Sequence, residues 1–252
     1  MIKTHALTKR YGTITTVDNV SVSIPKGGLT SIIGPNGAGK STLMMLISRL
    51  LPATSGTVTV DEMNVVNTPT NILAQRLAIL RQDNHTSVRL TVSDLVAFGR
   101  YPHSKGRFTQ DDREHIEHAL EYLDITSLRD CFLDELSGGQ RQRAFIAMVL
   151  CQDTDYLLLD EPLNSLDLKH ATATMKILRR AADDLGKTVV LVLHDINFAS
   201  YYSDHIIAMS AGKIYCEGSP DQVIRAERLG QLYDMKVSVH ELSGQRIVTY
   251  YE

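Results

Sequence analysis

The sequence predicts an α/β protein with a mixed, largely parallel sheet, an antiparallel β part near the N-terminus and a helical insert. Three observations carry this. Apolar runs at residues 29–33, 156–159 and 188–193 alternate with stretches whose apolar residues recur at helical spacing, the pattern of strands buried on both faces. Short β-type segments at residues 4–7 and 20–24 crowd the N-terminus. From residue 83 to about 135 strand-like runs vanish, and amphipathic helical patterns appear at 91–98 and 111–123.

At 252 residues, 43% hydrophobic and 22% charged, the chain has the make-up of a globular protein with a substantial core. A net charge of -3 leaves no electrostatic footprint for nucleic acid or anionic lipid. No apolar run approaches the ~18 residues of a membrane span, and Met1, Ile2, Lys3, Thr4 and His5 lead into a polar segment unlike a signal peptide. Cys131, Cys151 and Cys216 are odd in number and widely spaced, which suits unpaired thiols in a reducing compartment.

Taken in order, the first β segments flank a polar turn of Lys9, Arg10, Tyr11 and Gly12. Tyr11 admits two readings: a ring that caps the sheet edge, or a face on which a purine stacks. Residues 31–46 hold the central motif. An apolar strand leads into Gly34, Pro35, Asn36, Gly37, Ala38, Gly39, Lys40, Ser41 and Thr42, and a helix follows. This is a P-loop in its required strand–loop–helix context. Its glycines let backbone N–H groups close on phosphates, the helix start adds partial positive charge, Lys40 supplies a full charge and the Ser41 hydroxyl is placed for Mg²⁺. The motif implies a bound nucleoside triphosphate.

Beyond it, residues 57–60 alternate as a strand, 71–77 form a short helix, and the apolar run 77–80 ends at Arg81 and Gln82. Thr109 caps the helix over 111–123, with Asp111 and Asp112 in a first turn that favours negative charge. Residues 100–107 are a basic, turn-rich loop, and His115 and His118 lie on a solvated helix face among carboxylates. Leu136, Ser137, Gly138, Gly139 and Gln140 interrupt the chain before an apolar-rich helix at 141–151. The buried strand 156–159 ends in Asp160 and Glu161, and Pro162 prevents its continuation. A helix at 168–185, a strand at 188–193 ending at His194, a hairpin of 206–209 with 213–215, two short helices and a β-rich tail complete the chain.

In a parallel sheet, ligands gather at the C-terminal ends of the strands, so Asp160, Glu161 and His194 are expected on the same edge as residues 34–42. An acidic pair directly after a buried strand is costly without a cation. Asp160 is the expected second Mg²⁺ carboxylate, acting through water, and Glu161 is placed to accept a proton from an attacking water.

Leu136, Ser137, Gly138, Gly139 and Gln140 match the signature of ATP-binding-cassette (ABC) ATPases, and the P-loop and the segment 157–162 stand at that family's order and spacing. The chain resembles this family over residues 11–194. The resemblance implies a P-loop NTPase (RecA-like) core in a single domain over 1–252, with core segments 1–82 and 136–235, a helical subdomain at about 83–135 and a short β tail at 236–252. It further implies that Tyr11 stacks on adenine, that Gln82 senses Mg²⁺ and water, that His194 contacts the γ-phosphate, and that Ser165, Leu166 and Asp167 form the D-loop. The signature of one subunit would close over ATP held by the other, giving a head-to-tail homodimer. Arg81 precedes Gln82 where many members carry proline, a departure that touches the loop's shape rather than the glutamine.

Residues 91–102 and 194–197 are similar to ATPase subunits of bacterial ferric-siderophore and vitamin B12-type importers, and 150–154 and 195–200 resemble those serving catecholate siderophores such as petrobactin. That likeness implies an ATPase at the cytoplasmic face of a membrane. It would be bound through permease subunits, indirectly served by a substrate-binding lipoprotein or periplasmic protein, with residues 83–107 receiving the permease and no nucleic acid as partner. The alternative is a soluble ABC ATPase acting on a nucleoprotein or another cytosolic complex.

Overall fold

The computed structural model describes residues 1–84, 88–164 and 166–250. Its strands are β1 (Ile2–Tyr11), β2 (Ile14–Val20), β3 (Ser23–Ile24), β4 (Gly28–Ile33), β5 (Ser55–Val60), β6 (Met63–Asn64), β7 (Leu77–Leu80), β8 (Tyr156–Asp160), β9 (Thr188–Val192), β10 (His205–Ser210), β11 (Lys213–Gly218), β12 (Ser238–Leu242) and β13 (Gln245–Thr249). The helices are α1 (Lys40–Ile47), α2 (Thr70–Ala74), α3 (Val92–Phe98), α4 (Tyr101–Ser104), α5 (Gln110–Tyr122), α6 (Gly138–Cys151), α7 (Leu168–Asp184), α8 (Ile196–Tyr202), α9 (Pro220–Val223) and α10 (Ala226–Tyr233). The chain divides into two compact units, Met1–Thr68 with Thr188–Glu252, and Pro69–Lys187.

The first unit holds an antiparallel sheet of order β2-β1-β5-β6, with β3 also paired to β1. Its second sheet sets β9 and β10 parallel to β4 on either side, and β11 antiparallel to β10. Ile32 lies opposite both Val192 and Ile207. Leu29 through Ile33 are all buried, as a central strand covered on both faces requires. The antiparallel N-terminal part, the parallel strands and the closing hairpin agree with the fold class read from the sequence.

β1 differs from its expected form. It runs ten residues rather than stopping at residue 7, and Lys9, Arg10 and Tyr11 belong to the strand. The reason is local. Ala6 takes φ 48°, the pairing with β5 shifts register between His5 and Thr8, and Leu7 and Thr8 are both buried. An extra residue of this kind breaks the two-residue alternation while the ladder continues.

In the second unit β7 and β8 pair in parallel, from Leu77 opposite Tyr156 to Leu80 opposite Leu159. α3, α5 and α6 pack together, with Val92, Val96, Ile116, Leu120 and Ala144 buried. Thr91 and Thr109 each accept a hydrogen bond from the backbone N–H three residues on, and Asp94 and Asp112 return the bond in capping boxes. Gly99 permits a close approach, since a Cβ there would stand 2.2 Å from the Met148 carbonyl oxygen.

Two expectations fail in this unit. Residues 100–107 are not a basic loop throughout: α4 forms one helical turn, and Arg100 is only 4% exposed. Its Nε donates to Asp112 Oδ1 at 2.9 Å and its Nη1 to the Cys151 carbonyl at 3.1 Å. His115 is half-buried rather than solvated, lying between Asp111 and Asp153 at 3.6 and 3.4 Å. The three cysteines are unpaired; burial pushes the Cys151 thiol up to about 12. Among the described residues no helix is long and apolar enough to cross a membrane.

Candidate functional site

In the first unit the P-loop continues directly from β4. Gly34, Gly37 and Gly39 take φ of 144°, 78° and 96°, a region that suits glycine. A Cβ at Gly34 would stand 2.1 Å from the Met209 carbonyl oxygen, and one at Gly39 would stand 2.4 Å from that of Thr16. The loop is therefore pressed against β10 and β2 as well as turned back on itself. Asn36 and Gly37 are exposed at its tip, while Gly34, Ala38 and Lys40 are buried. Lys40 Nζ donates to the Gly34 and Pro35 carbonyls at 2.8 and 3.0 Å. No side chain caps α1, and the partial positive charge at a helix start favours an anion there. Ser41 and Thr42 follow in that turn, both half-buried.

Two further predicted residues belong to this unit. Tyr11 ends β1 at the tip of the β1–β2 hairpin, 48% exposed, with Lys9 Nζ 5.0 Å from its ring centroid. His194 is exposed just beyond β9, the parallel neighbour of β4, so it and the P-loop follow the C-terminal ends of adjacent strands. The backbone on each side of His194 is fixed. Leu193 donates its N–H to the Ile32 carbonyl at 3.1 Å, and Asp195 Oδ1 caps α8 by accepting from Asn197 and Phe198. The buried hydroxyl of Tyr233 lies beside Gly34 without completing a hydrogen bond; burial pushes it up to about 12 against the pull of the Gly34 N–H.

The second unit repeats this geometry with its own strand pair. Gln82 follows β7, and Asp160 and Glu161 lie at the end of β8. Gln82 Nε2 donates to Glu161 Oε2 at 2.8 Å, and Asn164 Nδ2 donates to the same oxygen. Glu161 takes φ 51°, a left-handed conformation uncommon outside glycine and found disproportionately at functional sites. Asp160 is buried at 6% exposure. A cleft of about 300 Å³ runs past Gln82, Glu161, Gly138, Arg141 and Leu166.

The signature residues open α6. Ser137 Oγ accepts from the Gln140 N–H at 3.3 Å, and Gln140 Oε1 accepts from the Ser137 N–H at 2.9 Å. Leu136 and Gln140 are half-buried, while Ser137 and Gly138 are exposed. Gly139 is buried against His170, whose Cδ2 would stand 2.6 Å from a Cβ. Asp167 caps α7, accepting from His170 N at 2.8 Å and meeting His170 Nδ1 at 2.7 Å; these two bonds hold its carboxyl below the usual range. Ser165 lies outside the described residues. Sequence reading missed Asn164 and Arg141, for which no motif signal exists, and the helix α8.

A family model for ABC transporters matches residues 17–164. The chain belongs to the ABC transporter family. It is 48% identical over 251 residues to the petrobactin import ATP-binding protein YclP of Bacillus subtilis (strain 168), covering 100% of both chains. Identity to the ferric enterobactin transport ATP-binding protein FepC of Escherichia coli (strain K12) is 41% over 235 residues, covering 92% of this chain and 87% of that one. Among solved structures, a dimeric post-hydrolysis state of the ATP-binding cassette MJ0796 bound to ADP and Pi matches with a TM-score of 0.78 at 29% identity, covering 87% of this chain and 99% of the other. As an ABC transporter ATPase the chain binds ATP. Lys40→Ala is expected to weaken that binding by at least about tenfold, because a charge-assisted contact is lost from the cradle; a fluorescent ATP analogue measures it, and unchanged affinity would remove Lys40 from the site.

Proposed function

We propose that this ABC transporter ATPase hydrolyses ATP to drive import of a ferric siderophore, working as a head-to-tail homodimer beneath permease subunits. Its best support in the geometry is the Gln82–Glu161 hydrogen bond, set in the cleft that also carries Gly138 of the signature. The cargo class comes from the relatives: YclP is a petrobactin import protein matched over the whole of both chains. Among siderophores, petrobactin is the first to test.

In this reading the two units make one cassette, its RecA-like core at 1–82 and 136–235 and its helical subdomain at about 83–135. Tyr11 stacks on adenine, and residues 34–42 wrap the phosphates with Lys40 against the β- and γ-groups. The oxygen donors Ser41, Gln82 and Asp160 suit a hard cation, and Mg²⁺ held there, Asp160 through water, would neutralise charge on the phosphates. Glu161 accepts the proton of the water that attacks the γ-phosphorus, as the bond to the β–γ bridging oxygen breaks and ADP leaves. His194 holds the γ-phosphate. Leu136 through Gln140 of one subunit cover the nucleotide of the other, with the D-loop Ser165, Leu166 and Asp167 alongside, and closure excludes water.

The permease surface would lie within 83–107, where Val88, Phe98 and Tyr101 are exposed apolar residues and Arg107 is exposed. Arg100, being buried, would not contribute. The chain would sit peripherally on the cytoplasmic face, and a substrate-binding protein would act on the far side. The import proteins named above do not favour the alternative of a soluble cassette on a nucleoprotein.

Expression in a bacterium lacking its petrobactin-import ATPase subunit tests the reading. Wild-type chain is expected to restore ferric petrobactin uptake, and Lys40→Ala is not. A chain that hydrolyses ATP and is made in quantity, yet restores uptake of neither ferric petrobactin nor ferric enterobactin, would overturn the cargo assignment.

A further inference from the structure

The C-terminal hairpin of β12 and β13 is fastened to the one helix that begins two residues after His194. Asn197 makes two bonds to a single residue of β13: its Nδ2 donates to the Val248 carbonyl at 3.2 Å, and its Oδ1 accepts from the Val248 N–H at 2.8 Å. The side-chain amide thus takes the place of a neighbouring strand's peptide group. Three residues on, the buried Ser200 donates its hydroxyl hydrogen to the Arg246 carbonyl at 2.8 Å. Positions three apart share one helix face, so both anchors pull on the same side of α8. Val248 is 2% exposed beneath them. The same strand is tied again through the Arg246 side chain, whose Nε meets Asp221 Oδ1 at 2.8 Å.

α8 has other supports. Asp195 caps its start, and Ser203, just past its end, donates to Ser31 Oγ of β4 at 2.7 Å. Those bonds hold the ends of a short helix, and Ile196 and Ala199 are buried along it. The Asn197 and Ser200 contacts add a directional hold on its rotation about its own axis. A rotation of α8 would carry the cap residue Asp195 with it, and His194 is bonded directly to that residue on one side and to the strand-anchored Leu193 on the other.

We propose that the hairpin is a positioning element for His194, acting through Asn197 and Ser200 on the rotation of α8. The inference rests on the reading that His194 contacts the γ-phosphate. Asn197 is a positioning residue: it touches no nucleotide itself and sets where the histidine stands.

Asn197→Ala removes both bonds to Val248 with little other change. Steady-state ATPase of the full chain is expected to show kcat lowered by about tenfold, since small misplacements of a group at the reacting centre are costly. Affinity for a fluorescent ATP analogue should stay within about twofold of wild type, because the P-loop is unaltered. His194→Ala serves as the control, and the double variant His194→Ala/Asn197→Ala should lose no more than His194→Ala alone, as expected of residues acting through one group. If His194→Ala turns over like wild type, the reading of His194 fails, independently of Asn197. If His194→Ala is impaired but Asn197→Ala keeps full kcat, or if the double variant multiplies the two losses, the positioning role is overturned. A lower melting temperature with unchanged kcat would likewise make the hairpin a structural tail only. Should Asn197→Ala fold poorly, Arg246→Ala loosens the hairpin by removing its tie to Asp221, and a fall in kcat at constant nucleotide affinity is again the expected result.

Discussion

Glu161→Gln is expected to lower ATP turnover by about 10²–10⁴-fold while nucleotide affinity changes little. The substitution is nearly isosteric and keeps an acceptor for the Gln82 and Asn164 amides, which both donate to Glu161 Oε2. What it removes is the capacity to take a proton. Chemistry should stop with the nucleotide intact, so an ATP-bound dimer should accumulate and be visible by sedimentation. Phosphate release at the wild-type rate would exclude Glu161 as the base. Conversely, a variant that neither turns over nor binds ATP would point to collapse of the left-handed turn at Glu161 rather than to lost proton transfer.

The largest effect on stability is expected at the pair of Arg100 and Asp112, each side chain only 4% exposed. Asp112→Ala would leave the buried guanidinium only its longer carboxylate contact, with the exposed Asp111 at 3.6 Å, and would break the capping box with Thr109. Removing one partner of such a pair costs about 3 kcal/mol, or roughly 10 °C in melting temperature for a chain of this length. Replacing both residues with apolar side chains should recover part of the loss. Acid gives a second handle. Burial alone would raise the Asp112 pKa, but the Thr109 backbone N–H and the Arg100 guanidinium outweigh it and bring it from 3.8 to about 2. A carboxyl whose folded pKa is depressed stabilises the protein above its unfolded pKa and loses that contribution as pH falls toward the folded one. The stability gap between wild type and Asp112→Ala should therefore be full at pH 7 and narrow between about pH 4 and pH 2; thermal melts across that range measure it. A gap that does not change with pH would show that Asp112 matters through packing rather than through its charged bonds to Thr109 and Arg100.

Much of the fold and of the candidate site's local geometry was legible because each part is written in consecutive residues. Glycines at 34, 37 and 39 announced a loop that only glycine can take, and the structure gives all three positive φ. The apolar run before Asp160 announced a fully buried strand, and Thr109 announced its cap. What escaped was written across distance. Arg100 reads as one more charge in a basic turn, and its partner Asp112 reads as a helix-terminal charge; nothing in either segment tells that they meet in the interior. The bulge at Ala6 hid the length of β1 because alternation breaks there while pairing persists. Asn197 lies within the 194–197 likeness, but its bonds to Val248, 51 residues on, leave no local trace.

Gly139 has room for the His170 ring and little else, and Asp167 grips that ring from its other side. The start of α6 and the cap of α7 are thereby keyed through one ring into a single tile. Such a tile has its internal ordering settled when the chain folds, so assembly with a second copy would not bear that entropy again. Any side chain added at position 139 would shim the tile apart and misalign both of its edges at once.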